Sequence, residues 1–326
     1  MEPLAPDDVG ARWMAAMRAG DWAAAWRATD ALEIPRRRMQ SQPGFERRPW
    51  HLCWDGTPFE GRTVLVRCEH GLGDTLQFLR FVPLLRQRAR ELHLMVQPPL
   101  VALLTGAPGL GQVHDGWQGP HWPKHEVEIE VMELAYALRT TAATLPPPYP
   151  HLAGQAGRRS RLRIGEEPGQ GRVRVGLLWA ASDWDSSRSL PWPVLAPLLR
   201  CPGVRFHALQ QGPAAHAAAL DPAVVPLWQR TDRIEDAAAA MLQMDLVIAI
   251  DGMAAHLAGG QGRPTWLLLK HEADWRWMDG RSDSPWYPSM RLFRQRRAGD
   301  WAGLVDEVAA ALSAWSTAAA APCPPG

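Results

Sequence analysis

The sequence predicts an α/β protein with doubly wound parallel sheets, and three observations carry that prediction. The run Leu246-Val-Ile-Ala-Ile250 is too uniformly apolar for a strand with one wet face, so it reads as a strand covered by helices on both sides. Strands and helical stretches alternate through the second half of the chain, the order that parallel crossovers require. Near residue 64 a strand, a glycine-rich turn and an amphipathic helix follow one another, the opening of a nucleotide-binding-like unit.

Length and charge bound the answer further. The chain has 326 residues, and single cores stop growing at roughly 250 to 300 residues, so two domains are expected. Lysine plus arginine is 35 against 34 aspartate plus glutamate, leaving no net field that would favour nucleic acid or an anionic membrane. Cys53, Cys68, Cys201 and Cys323 are scattered without a C-x-x-C pair, which suggests neither a zinc site nor a disulfide framework. The acidic N-terminus lacks an apolar signal region, and no window approaches the roughly 18 apolar residues of a membrane span. The expectation is a cytoplasmic chain with no transmembrane segment.

Taken in order, residues 9 to 33 repeat apolar positions three and four apart, interrupted by Gly20-Asp21, and predict a helical hairpin, which resembles one tetratricopeptide-type unit without a second copy. Pro35 to Pro58 predicts an extended linker. Val64 to Cys68 is a strand, Glu69-His-Gly-Leu-Gly-Asp74 a turn, and a helix begins near Thr75 that Pro83 kinks or divides. Glu91 to Gln97 and Val127 to Val131 are further strands, with short helices through Leu104 and from Met132 to Leu138. Gly154 to Gly171 is polar and glycine-rich and marks a boundary. The strands Val173 to Trp179, Val204 to Gln210, Leu246 to Ile250 and Thr265 to Leu269 then alternate with helices at Trp192 to Leu199, Ala214 to Leu220 and Ile234 to Met241, before a final helix from Asp300 to Trp315. The predicted domains are a hairpin with linker over 1–45, a first α/β domain over 46–165 and a second over 166–326.

Ligands of open α/β sheets lie beyond the carboxyl ends of the strands. Trp179 to Ser182, Gln210 to Gly212, Asp251-Gly252 and Lys270-His271 each follow a strand, so they are expected along one crevice. Asp74, after Gly71 and Gly73, either caps a helix or projects a carboxylate that serves as a general base. For Asp251 and His256 the simpler account is a helix cap and a satisfied core residue. Lys270-His271 reads as an exposed loop rather than a phosphate contact, and His114, His121 and His125 lack metal-ligand spacing.

Glu69-His-Gly-Leu-Gly-Asp74, Arg188-Ser-Leu-Pro191, Leu209-Gln210, Asp251-x-x-x-x-His256-Leu-Ala-Gly and Gly262-x-Pro264 together resemble the motifs of heptosyltransferase-like GT-B glycosyltransferases, over about Trp54 to Trp301. Asp274-Trp-Arg-Trp277 and Ser284-Pro-Trp-Tyr-Pro288 resemble the bacterial subgroup in which tetratricopeptide repeats precede the catalytic region. The resemblance implies two Rossmann-like domains, acceptor-side then donor-side, facing a central cleft. It implies Asp74 as general base, Trp179, Arg188, Gln210, Asp251 and His256 as donor-binding residues, and Gly71, Gly73 and Gly252 as support for the phosphate loops. Trp275 and Trp286 are candidate acceptor or donor contacts. Gly252 departs from the family, which has a hydroxyl residue after the aspartate, and the repeat array is reduced to one hairpin.

The implied activity is inverting, metal-independent transfer from a nucleotide-sugar co-substrate, with no other cofactor, to a bacterial glycan or protein such as lipopolysaccharide or flagellin. Such a reaction asks for a carboxylate beside the acceptor hydroxyl and for cations or helix amides at the leaving diphosphate. A non-catalytic GT-B module is the alternative. A nicotinamide-dependent oxidoreductase is disfavoured, because Gly71-Leu-Gly73-Asp-Thr-Leu76 lacks the third glycine of the dinucleotide turn.

Overall fold

A computed structural model describes residues 6–40, 53–118, 122–165, 173–181, 183–218 and 221–320. Its contacts divide the chain into two units, Met1–His151 with Asp274–Arg281, and Leu152–Ala273 with Ser282–Gly326. No helix among the described residues is long and apolar enough to cross a membrane.

The first unit opens with the expected hairpin, α1 (Pro6–Arg18) and α2 (Trp22–Gln40). Gly20 takes the left-handed conformation that the reversal needs (φ 75°), and the Asp21 carboxylate caps α2 by accepting from the Ala24 amide at 2.9 Å. Trp26 anchors the hairpin to the body of this unit, its indole donating to the Thr140 carbonyl at 2.6 Å. The extended linker expected from Pro35 does not begin there, because α2 continues through Pro35 to Gln40. Residues 41–52 of that segment lie outside the described residues.

Next come β1 (Thr63–Arg67), α3 (Leu72–Phe78), α4 (Val82–Arg86), β2 (Glu91–Val96), α5 (Pro98–Leu104), β3 (Gln112–Asp115), β4 (Val127–Glu130) and α6 (Leu134–Ala137). The strands form a parallel sheet in the order β3-β2-β1-β4. Helix α3 starts at Leu72 rather than near Thr75, so Gly73 and Asp74 belong to its first turn. The turn Leu79–Phe81 separates α3 from α4, and Pro83 stands in the first turn of α4, where a missing amide costs nothing. Strand β3 was not expected; it is a four-residue edge strand with one strongly apolar residue, Val113.

The second unit begins with α7 (Leu152–Arg159), a helix that runs into the polar, glycine-rich stretch read as a boundary. Gly154 and Gly157 lie in that helix, and Ser160 after it fastens to Asp236 at 2.5 Å. Then follow β5 (Val173–Leu178), α8 (Ala196–Leu199), β6 (Val204–Ala208), β7 (Val224–Pro226), α9 (Ile234–Met241), β8 (Leu246–Ile250), α10 (Met253–Gly260), β9 (Thr265–Leu269), β10 (Met290–Arg294) and α11 (Trp301–Ala320). The strands are parallel in the order β10-β9-β8-β5-β6-β7. Strands β7 and β10, the two edges, were not expected. The stretch expected to be helical from Ala214 is a 3-10 turn, Pro213–Ala217.

Every residue of β8 and β9 is buried, which is the burial that their unbroken apolar runs predict. One face of the sheet, with Val175, Leu177, Phe206, Ile248 and Leu268, packs under Leu304, Val305, Val308 and Leu312 of α11. Each fully buried side chain of this size contributes about 1.5 to 3 kcal/mol.

Candidate functional site

Each sheet has a topological switch beside its first strand. In the second unit the chain lays down β5, β6 and β7 to one side and then returns to build β8, β9 and β10 on the other. The switch lies between β5 and β8, whose pairing Leu178↔Ala249 brings their carboxyl ends level. A crevice for a ligand opens at such a point because the crossover helices leave on opposite faces. The four sets of residues expected at one edge of the sheet are there, save Ser182, which lies outside the described residues.

Their roles within that edge differ. The Gln210 side chain accepts from the amides of Trp179 and Ala180 at 3.0 and 2.8 Å and donates to the Ala180 and Gln211 carbonyls, fastening the end of β5 to the end of β6. Trp179 is buried, with its ring centroid 4.6 Å from that of Trp192. Arg188 reaches across the switch: its Nη1 donates to the backbone carbonyl of Asp251 at 3.2 Å. Directly after Asp251, α10 begins with Gly252 as its N-cap, so its first amides gain no side-chain cap. Uncapped amides at the positive end of a helix favour an anion. Gly252 has extended backbone and a Cβ there would meet nothing within 4 Å, so the hydroxyl residue usual in the resembling family fits this space. His256 is buried, with Nδ1 2.9 Å from the Tyr287 hydroxyl.

Lys270 corrects the sequence reading, for it is not simply an exposed loop residue. Its Nζ donates to Asp185 Oδ2 at 2.8 Å and to Ser187 Oγ at 3.0 Å. Arg188 Nε lies 3.6 Å from the same Asp185 oxygen. The hydrogen bond from Lys270, followed by those from Ser187, holds the Asp185 carboxyl down at about 2. Asp185 and Ser187 had no part in the sequence reading; they precede the Arg188 motif in a stretch of no clear periodicity.

In the first unit the switch lies between β1 and β4. Glu69-His70-Gly71 leads from β1 into α3, and Asp74 is the third residue of that helix. Asp74 Oδ2 accepts from the Gly71 amide at 2.9 Å, so the carboxylate caps the helix from inside it. A Cβ at position 71 would lie 3.0 Å from that oxygen, which is why glycine suits the position. Asp74 Oδ1 forms an ion pair with Arg276. Arg276 is also bound to Gln77 Oε1 at 2.7 Å and Asp274 Oδ1 at 2.9 Å, and its guanidinium lies 4.6 Å from the Trp275 ring. Trp275 in turn meets Trp13 of α1 edge-on, 5.2 Å between centroids.

Arg276 is the partner that sequence reasoning missed, although the Asp274-Trp-Arg-Trp277 motif holds it. A second missed residue is Glu130, at the end of β4, only 3% exposed. Its Oε2 accepts from the Met132 amide at 2.7 Å and lies 3.9 Å from His70 Nε2. Burial, with the nearby charges of Glu133 and Asp74, pushes its carboxyl up to about 8. The sequence did hold a signal: two glutamates interrupt the apolar run Val127-Glu-Ile-Glu-Val131.

Trp286 is fully buried and presents no face to a ligand in this structure. His114 stands 3.0 Å from His93 across the β2–β3 pair, His125 lies 3.3 Å from Glu128, and His121 lies outside the described residues. Among the described residues, no group of three or more His, Cys, Asp or Glu side chains is placed to hold a metal ion.

No family model matches the chain. The chain is 27% identical over 286 residues to Protein FlbA of Caulobacter vibrioides, covering 79% of this chain and 48% of that protein. It thus spans about half the length of the curated relative it matches. Among solved structures it is similar to the E. coli ADP-heptose lipopolysaccharide heptosyltransferase II, with TM-score 0.54 and 14% identity over 79% of this chain and all of that one. The E. coli heptosyltransferase WaaC with ADP gives 0.50 and 13%, again over 79% and 100%. A glycosyl transferase of family 9 from Veillonella parvula gives 0.50 and 14%, over 73% and 87%. The fold is therefore that of the GT-B heptosyltransferase structures, two parallel α/β sheets, preceded here by a helical hairpin.

Proposed function

We propose that the chain is a nucleotide-sugar-dependent glycosyltransferase, inverting and metal-independent, that moves a hexose or heptose to a bacterial glycan or protein acceptor such as lipopolysaccharide or flagellin. One observation carries this reading. At the switch of the second sheet, Arg188 bridges to the Asp251 carbonyl beside the uncapped start of α10. A guanidinium and uncapped helix amides at a strand-end crevice suit a leaving diphosphate. Likeness to the heptosyltransferase structures supports it, and their names make ADP the first nucleotide to try.

In this reading the acceptor hydroxyl attacks the anomeric carbon from the face opposite the diphosphate. As the new carbon–oxygen bond forms, the bond to the diphosphate breaks and its electrons leave with the nucleotide. The hydroxyl proton passes to the Asp74 carboxylate. Arg276 and the Gly71 amide each engage one Asp74 oxygen, and the lone pairs that remain are those offered to the hydroxyl. Asp251 holds a sugar or ribose hydroxyl, and Arg188 meets the charge that develops on the phosphates.

A panel of ADP-, UDP- and GDP-sugars, assayed for hydrolysis and transfer, tests this. Asp74→Asn keeps the volume and removes the base, so turnover is expected to fall about 10²- to 10⁴-fold. Unchanged turnover would remove Asp74 from the chemistry.

A second reading, a GT-B module that binds without turnover, is favoured by the ion pair that already engages Asp74. It predicts saturable nucleotide binding by calorimetry with no sugar released from any donor.

A further inference from the structure

We propose that Asp185 is the internal counter-ion of the donor diphosphate site, and that Lys270 joins Arg188 as the cation pair that takes the diphosphate when this carboxylate is displaced. The inference rests on the donor reading above and adds to it a residue, Lys270, and a competition, with Asp185.

Donors from separate strand ends converge on a single carboxylate. Lys270 follows β9 and places its ammonium 2.8 Å from Asp185 Oδ2. Arg188, in the loop after β5, brings its Nε to 3.6 Å from the same oxygen, while its Nη1 is fixed to the end of β8. Ser187 supplies two more donors to Asp185 Oδ1, its amide at 3.1 Å and its hydroxyl. A guanidinium, an ammonium, a hydroxyl and a backbone amide directed at one anion make the donor set that a phosphate group requires. The strands that supply it, β5, β8 and β9, are consecutive in the sheet, and the switch falls among them.

The occupant is a carboxylate of the chain itself, and it is poorly suited to stay. Asp185 keeps 30% of its side chain accessible, as does Lys270, so neither ion is locked in the core. The short 3-10 stretch Asp183–Arg188 is broken at Asp185, which has extended backbone (φ −146°, ψ 87°). Two cations share one singly charged anion there. A diphosphate carries more charge and more acceptor oxygens, so exchange leaves both cations better matched. The carboxylate in the meantime spares Arg188 and Lys270 mutual repulsion.

Binding of ADP, UDP, GDP, the matching nucleosides and inorganic pyrophosphate to the intact chain, measured by calorimetry at several salt concentrations, tests this. Lys270→Met is expected to weaken the diphosphates and pyrophosphate about tenfold or more, leave nucleosides unchanged and flatten the salt dependence. Lys270→Arg should restore most of the loss. Asp185→Asn, which keeps the turn with Ser187 and removes the competing charge, should bind the same anions several-fold more tightly. Unfolding curves establish that each variant is folded; if Lys270→Met is not, the Asp185→Asn result decides.

Wild-type affinity in both Lys270→Met and Asp185→Asn, or weaker binding in Asp185→Asn, would overturn the proposal and make the cluster a structural pin. Pyrophosphate binding that depends on both residues, without nucleotide binding, would uphold the anion site and sink the donor reading. No binding by any of these probes would sink both.

Discussion

Glu130 ends β4 as a carboxyl group that the interior favours in its neutral form, and this sets a pH signature at the level of one residue. Its folded value of about 8 lies above the ordinary 4.5, so the native chain holds that proton more tightly than the unfolded chain. The favourable contribution is complete below about 4.5 and is lost as pH climbs toward 8. Glu130→Gln keeps an acceptor for the Met132 amide and has no proton to lose. The variant should match the wild type near pH 4 and exceed it by roughly 2 to 4 kcal/mol near pH 9, measured by denaturant unfolding at each pH. Parallel curves for the two proteins would show that Glu130 does not titrate in this window. Asp74, an adjoining carboxylate, is one of the charges that raise Glu130, so Asp74→Asn should lessen the effect.

At the scale of an element, α10 shows how one glycine ties a helix to its surroundings. A Cβ on Gly259 would stand 2.8 Å from Tyr287 Cγ, and Tyr287 is fully buried and bonded to His256. Gly259→Ala therefore gains helix propensity of up to about 1 kcal/mol and meets overpacking of about 1 to 3 kcal/mol. A net loss of about 1 kcal/mol in the thermal or denaturant transition is expected. A Cβ on Gly154 in α7 would meet nothing within 4 Å, so Gly154→Ala should instead stabilise by up to about 1 kcal/mol. Identical shifts from the two substitutions would mean that packing against Tyr287 plays no part.

The same scale shows what was legible in the sequence. Strands β1, β2, β5, β6, β8 and β9 were readable because central parallel strands are apolar on both faces. The missed strands β3, β7 and β10 are sheet edges of three to five residues, where one flank has no neighbouring strand; β4 is an edge too, and was read from the apolar residues of Val127 to Val131. Helix α7 was hidden because Gly154 and Gly157 read as breakers, whereas Leu152 and Ala156 bury the face that tertiary packing secures. Glycine turns and strand-end residues such as Asp74 and Asp251 could be picked out by local pattern, and Arg188 through the resemblance of its motif. Their partners could not. Arg276 stands 202 residues from Asp74 and Lys270 stands 85 from Asp185, and no periodicity announces such pairs.

Over the whole molecule, the two units are not two consecutive lengths of chain. Residues 274–281 follow β9 of the second sheet yet make their contacts with the first unit. Trp275 meets Trp13, Arg276 meets Asp74 and Gln77, and the Asp279 amide donates to the Arg18 carbonyl at 3.1 Å. A fragment of residues 1–151 lacks these contacts, and Asp74 loses its cation. Its denaturation midpoint should lie below that of the same fragment carrying residues 274–281 on a flexible tether. Equal midpoints would show that the returning segment adds no stability.

That returning segment also constrains recombination. Splicing a foreign C-terminal half onto this chain at residue 152 would import a stranger's residue opposite Asp74. A graft that respects the contacts must keep residues 274–281 native inside the borrowed half, as an island with a seam on either side.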